Sequence, residues 1–537
     1  MRLARIGLLL PLTLAIVLLA AACGDDDSDD SQAATPDASA EGEASASADA
    51  EASAETAGSD TTSEPTPTPE PESPVGSESA ASAPAEIMDA GDAGSGISLP
   101  IGNAPLPDDY SESEYLFGGM ATSYVGVGEL TGDGFWEAEV EGSAPYRTRM
   151  IVRLPPAEAF SGVVLVEWMN VTAGADTTPD WGFLHEEIAR SGHGYVAVSV
   201  QEVGVNGVAD SAIEGGLIDT RGLVVRDPDR YGTLEHPGDA FAFDIFTQAG
   251  AAVAGLGDVD VLDGLVPEQV IALGESQSAI FMTTYVNAIN PLVGLYDGFF
   301  IHSRGASALS PDGEGRDDTG AVLIRTDVPV PVFTFEAETD ILVLGFEAAR
   351  QPDSAMTHTW EVAGTAHADS YSLAVSAGLP RDASLGNVIG CAAPINDGPQ
   401  HETLQAALSH MVAWVEDGAT PPRSPRIEIE DGPDGKVIAR DDLGIAHGGV
   451  RTPPVDVPTR VLSGDPSSDD AGLCFLFGQT QPLPEGALGT LYTDEADYVA
   501  QLETSAAEAV ANGWLLPDDA ETMVTEETAR VAELGLG

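Results

Sequence analysis

Positive charge is the scarcest thing in this chain. Among 537 residues, 21 lysines and arginines stand against 88 aspartates and glutamates, a formal net charge of −67. Lys436 is the only lysine. A surface of that sign repels phosphate backbones and anionic headgroups, so no nucleic-acid partner is expected. Cysteine is rare as well, with three in the whole chain. The sequence has no His-Glu-x-x-His, no Cys-x-x-Cys pair and no glycine-rich nucleotide loop. Neither a metal nor an organic cofactor is therefore expected. Beyond the first 22 residues no run is long and apolar enough to span a bilayer.

The N-terminus reads MRLARIGLLLPLTLAIVLLAAACGDDD. Arg2 and Arg5 precede an apolar segment from Ile6 to Ala22, the pattern of an export signal that is removed, residues 1–22. A small-residue run ending at Cys23 resembles the bacterial lipoprotein box, although Ala20 stands where that box usually carries Leu or Val. The resemblance implies an acylated Cys23 and a membrane contact through lipid alone, on the outer face of the cytoplasmic membrane or at the cell surface. Plain secretion is the alternative. From Gly24 to about residue 96 there is no Lys or Arg, only stretches such as SADAEASAETAGSD and SEPTPTPEPESP. Residues 23–96 thus read as a disordered, self-repelling acidic linker. In an exported chain the remaining cysteines, Cys391 and Cys474, are candidates for one disulfide, with two separate thiols as the alternative.

From about residue 97 to 537 the composition is that of a folded domain. Near-continuous apolar runs at 149–154, 163–168, 195–200, 270–275, 297–303, 330–336 and 358–364 predict strands buried on both faces of a mostly parallel sheet. Helical patterns at 181–192, 237–256 and 278–289 lie between them, so the fold class is α/β, with helices flanking the sheet. A C-terminal extension begins at about 385, with an amphipathic helix at 401–418 and two acidic helical stretches at the end.

The segment Gly274-Glu275-Ser276-Gln277-Ser278 joins a predicted strand to a predicted helix. A serine on such a turn is projected above the sheet, beside the free N–H groups of a helix start. By itself the motif also fits a serine that merely caps a helix. A buried-strand pattern follows, with Glu336, Glu338 and Asp340 in the loop at its end, then a strand leading to Gly364-Thr365-Ala366-His367. Asp340 resembles the acid of the α/β-hydrolases, with Glu338 as the alternative acid. His367 resembles their histidine, with His358 and His302 as competitors. The order Ser276, Asp340, His367 is that of the α/β-hydrolase fold. The first oxyanion donor is expected at the Gln277 N–H, and the second between Asn170 and Thr172, with Asn170 and Val171 the foremost candidates. Trp168 and Trp181 are candidates for a pocket wall or for the core.

These residues, from about 145 to 375, resemble α/β-hydrolases. The GESQS turn with the late GLCFLFGQTQPLP segment resembles, more narrowly, a bacterial group known as α/β hydrolase domain proteins, which extends the domain to the C-terminus. The resemblance implies an α/β-hydrolase fold and adds little about the reaction; with the leader and the three residues Ser276, Asp340 and His367, an exported serine hydrolase acting on a small-molecule carboxylic ester through an acyl-enzyme is expected. A surface binding protein that has lost catalysis, or a peptidase or acyltransferase using the same three residues, are the alternatives.

Overall fold

A computed structural model describes residues 81–99, 104–207, 221–313, 315, 320–377, 379, 391–433, 435–467 and 472–534. The expected signal peptide, Cys23 and most of the acidic linker lie outside the described residues. The linker was expected to run to residue 96, but its last part is structured. Glu86–Asp89 forms strand β1, paired antiparallel with β2, Ser111–Val127. Ile87 packs against the core there while Met88 faces outward. Two apolar residues inside a long polar tract are too few to change its average composition, which is why the boundary was placed late.

Seven further strands complete one sheet: β3 Glu137–Leu154, β4 Val163–Trp168, β5 Gly194–Val198, β6 Gln269–Glu275, β7 Gly298–His302, β8 Val332–Ala337 and β9 Thr357–Val362. Their order is β1-β2-β3-β5-β4-β6-β7-β8-β9. The strands from β5 to β9 in that order run parallel, and β1, β2 and β3 add an antiparallel wing. The parallel strands are buried along their length except at Gln269, where β6 begins. Alternate residues serve opposite faces, as the two-residue strand period requires. Val164, Val166, Val270 and Ala272 join the helices Ala242–Val253 and Gln277–Thr284 on one side. Val163, Leu165, Ile271 and Leu273 join Pro179–Ser191 and Gln400–Asp417 on the other. The predicted helix at 278–289 continues past Thr284 as one π-helical turn, Tyr285–Ile289.

After β4 the chain moves to β5 on one side, then crosses back to β6 on the other. The loops leaving β4 and β6 therefore diverge, and a crevice opens at the carboxyl ends of those two strands. Open α/β sheets bind ligands at such a switch point. Both Ser276 and the loop that begins at Met169 sit there.

The C-terminal extension packs on the same core rather than beside it. Leu404 and Leu408 of Gln400–Asp417 belong to the cluster that covers the central strands. Cys391 and Cys474 are bonded, with Cα atoms 5.5 Å apart. The two cysteines are 83 residues apart in sequence, and closing a loop of that length restricts the unfolded chain by on the order of 4 kcal/mol. No helix among the described residues is long and apolar enough to cross a membrane.

Candidate active site

Strand β6 delivers Ser276 in a backbone conformation that L-residues rarely hold, φ 57° and ψ −117°. The Ser276 N–H donates to the His302 carbonyl of the neighbouring strand at 2.9 Å, which pins the turn. The turn is tight. A Cβ added at Gly274 would stand 3.1 Å from the Ser278 backbone, and Ser278 is itself fully buried. Glycine and serine are thus the small residues that let the helix start against the strand. Ser276 occupies the cap position of the helix Gln277–Thr284, yet its side chain makes no capping hydrogen bond. Its Oγ lies 2.8 Å from His367 Nε2 instead.

His367 follows β9 through a turn made by Gly364, with φ 73°, and by Thr365, whose Oγ1 donates to the Val362 carbonyl. Its Nδ1 lies 2.7 Å from Asp340 Oδ1. Asp340 is completely buried in the short helix that follows β8, and its other oxygen accepts from the Ala337 N–H at 2.7 Å. That second bond fixes the carboxylate plane and leaves one oxygen for the imidazole.

Glu338, the alternative acid, is a strut instead. Its carboxylate accepts from the N–H groups of Gly364 and Gly464, and from Arg440. The cause is its place one residue into the helix Glu338–Leu342, which turns the side chain toward the His367 turn rather than the His367 ring. Asn396 reinforces that turn by donating to the carbonyls of Gly364 and Ser463. Glu336, the last residue of the run predicted as a strand at 330–336, belongs to β8 and is fully buried. Burial and the nearby Asp340 hold its carboxyl well above the usual range, against the pull of Arg304.

The rings of the competing histidines are engaged with other partners. His302 Nδ1 is paired with Asp180 at 2.9 Å, and His358 packs edge-on to Trp414. Trp168 and Trp181 are fully buried core residues, packed on Phe246 and Phe281 and on Tyr195 respectively. Neither is available as a pocket wall.

The expected oxyanion residues do meet at the turn, in different roles. Asn170 cannot be a donor to substrate. Its N–H is held by the Thr177 carbonyl, and its side-chain amide donates to both the carbonyl and the carboxylate of Glu275 at 3.1 Å. Its Oδ1 accepts from the Thr172 N–H. Asn170 is thus a bracket that locks the loop after β4 to the serine turn. Gln277 begins its helix, so its N–H has no acceptor within that helix.

Sequence reasoning missed Glu275, which has no signal beyond its place before the serine. Its carboxylate lies 3.5 Å from His367 Nε2. Burial pushes it up to about 7, against the pull of His367 and His302. Burial also disfavours the charged His367 ring, but the charge and hydrogen bond of Asp340, with Glu275 behind them, outweigh it and raise the imidazole above its ordinary 6.5. Among the described residues no group of three or more His, Cys, Asp or Glu is placed to hold a metal.

A strained serine after a parallel strand, with carboxylate and imidazole following it in the chain, is the arrangement of the α/β-hydrolase class. The chain belongs to the alpha/beta hydrolase domain family, whose model matches residues 74–525. No curated protein matches the sequence. Among solved structures it is similar to acetyl xylan esterase 1 from Thermoanaerobacterium sp. JW/SL YS485, at 10% identity over 52% of this chain and 80% of that one, TM-score 0.26. It is also similar to the methylesterase BT1017, at 12% identity over 60% of this chain and 58% of that one, TM-score 0.28. Likeness at this level says nothing of substrate.

The strut role of Glu338 is testable. Glu338→Ala leaves two N–H groups without their acceptor and Arg440 with Asp465 as its one carboxylate, and its expected cost is roughly 3 kcal/mol in urea denaturation. Below the unfolding transition the variant is expected to retain reaction of Ser276 with a fluorophosphonate. A stable variant with an unreactive serine would instead make Glu338 the working acid.

Proposed function

We propose that the protein is an exported serine hydrolase that opens carboxylic esters through an acyl-enzyme on Ser276. One observation carries the reading: the Ser276 hydroxyl, aimed into the crevice by a strained turn, meets His367 Nε2 at 2.8 Å while Asp340 holds the opposite ring nitrogen. His367 takes the serine proton as Oγ attacks the ester carbonyl. Asp340 keeps the ring in the tautomer with its hydrogen on Nδ1 and steadies the imidazolium. The Gln277 N–H, with a second amide from the loop after β4, receives the oxyanion. Collapse of the tetrahedral intermediate expels the alcohol, which leaves with the proton from His367. Water then repeats the sequence in reverse roles and frees the acid.

A fluorophosphonate is expected to label the wild type and to fail on Ser276→Ala. Labelling that survives in the variant sinks Ser276 as the nucleophile. A folded wild type that takes no label would support a binding protein on a hydrolase fold.

The pH dependence has a definite sign. The base must be neutral, so kcat/KM is lost as pH falls through the His367 value, which lies above 6.5. Glu275→Gln removes a negative neighbour of the ring, and the acid limb should move to lower pH. A limb that stays put would take Glu275 out of the electrostatics of the site.

Export and the lipid anchor are supported by the apolar leader and by Cys23 after three alanines. In a lipoprotein-processing bacterium fed an alkyne fatty acid, the wild-type chain should acquire the label and Cys23→Ala should not. An unlabelled wild type would reduce the leader to an ordinary secretion signal.

A further inference from the structure

The amides of the loop after β4 can be sorted by what accepts from them. Met169 donates to Val198, Asn170 to Thr177 and Gly174 to Val171, all carbonyls, and Thr172 donates to the Asn170 side chain. Those bonds build the loop and are not spare. Val171 differs. Its N–H donates to Gln277 Oε1, the side-chain oxygen of the residue after the serine, at a long 3.3 Å. The Gln277 side chain is half-buried at the crevice, whereas Val171 is buried.

An N–H carries one hydrogen. The Val171 amide cannot serve Gln277 and a developing oxyanion together. We propose that Val171 is the second oxyanion donor and that the Gln277 side chain is its resident surrogate acceptor, a plug that substrate must displace. The proposal rests on the serine hydrolase reading and goes beyond it. Gln277 then plays two opposed parts: its backbone N–H stabilises the tetrahedral intermediate, and its side chain competes with that intermediate for the other donor.

The arrangement has a physical rationale. A buried N–H without an acceptor is costly, and an oxyanion hole is such a site whenever it is unoccupied. Gln277 Oε1 satisfies Val171 in the resting state, and the Asn170 bracket keeps the amide in place after the side chain swings out. The plug also taxes every ligand that needs Val171, because the competent state is only part of the population. The tax falls on the acceptor position alone, so a ligand that reaches the serine without an oxyanion escapes it.

The test compares wild type with Gln277→Ala and with the near-isosteric Gln277→Met, neither of which changes the backbone N–H. The probes are an alkyl boronic acid, which forms a tetrahedral adduct on the serine, and p-nitrophenyl acetate. Both variants should bind the boronate ~3–10-fold more tightly, as expected for removal of one competing hydrogen bond. Their kcat/KM should rise by a similar factor, while thermal unfolding moves slightly down because the resting Val171 N–H loses its acceptor. Unchanged boronate affinity in a folded variant would show that no competition exists and overturn the plug. Weaker affinity would overturn it in the other direction, making the Gln277 side-chain amide a donor to the adduct. A wild type that forms no adduct with either the boronate or a fluorophosphonate would overturn the hydrolase reading and the plug with it. Loss of the plug alone therefore has a different signature.

Discussion

The hydrogen bond from the Ser276 N–H to the His302 carbonyl holds the turn on which the whole site depends. It anchors the serine in a backbone region that costs an L-residue roughly 1–3 kcal/mol. The sheet meets that cost through the close fit around it. Strands β6 and β7 are in register up to Glu275 and His302, the helix Gln277–Thr284 packs its first turn onto Gly274, and Ser278 is sealed beneath. The strain is useful because it lifts one hydroxyl out of the sheet edge. It also leaves the Gln277 amide at the same point.

Three strand ends then divide the chemistry. β6 supplies the serine, β8 the carboxylate and the turn after β9 the imidazole, while the loop after β4 closes the site from the far side of the switch point. Each contribution is fixed by a second bond that faces away from the reaction. Asp340 is held by Ala337, His367 by the Gly364–Thr365 turn, and the β4 loop by Asn170 on Glu275. The electrostatics follow from the same packing. Two carboxyl groups, Asp340 and Glu275, flank one imidazole on opposite nitrogens in a site where burial disfavours every charge.

The parallel strands were legible in the sequence because burial on both faces writes a continuous apolar run, and six of the seven predicted strands match within a few residues. The seventh, β3, extends back to Glu137, and β2 was not read at all. In both, one face is solvated and the run is interrupted by Gly, Ser and charged residues, so the pattern is that of neither a core strand nor a loop. At the site, the order of serine, acid and histidine was legible because each falls at a strand end. The strut made by Glu338, the bracket made by Asn170 and the side chain of Gln277 were not. Their roles depend on which neighbour the fold brings within reach, and a polar residue near a motif looks the same in sequence whether it reacts, positions or props.

The strut has a consequence for how the molecule fails. Glu338 ties the His367 turn to Gly464 and Arg440, and the Ala368 N–H donates to the Leu476 carbonyl two residues from the disulfide at Cys474. The late segment is therefore the back wall of the site. Heat or denaturant cannot loosen that segment while leaving the imidazole in place, so inactivation and loss of the C-terminal structure belong to one cooperative event.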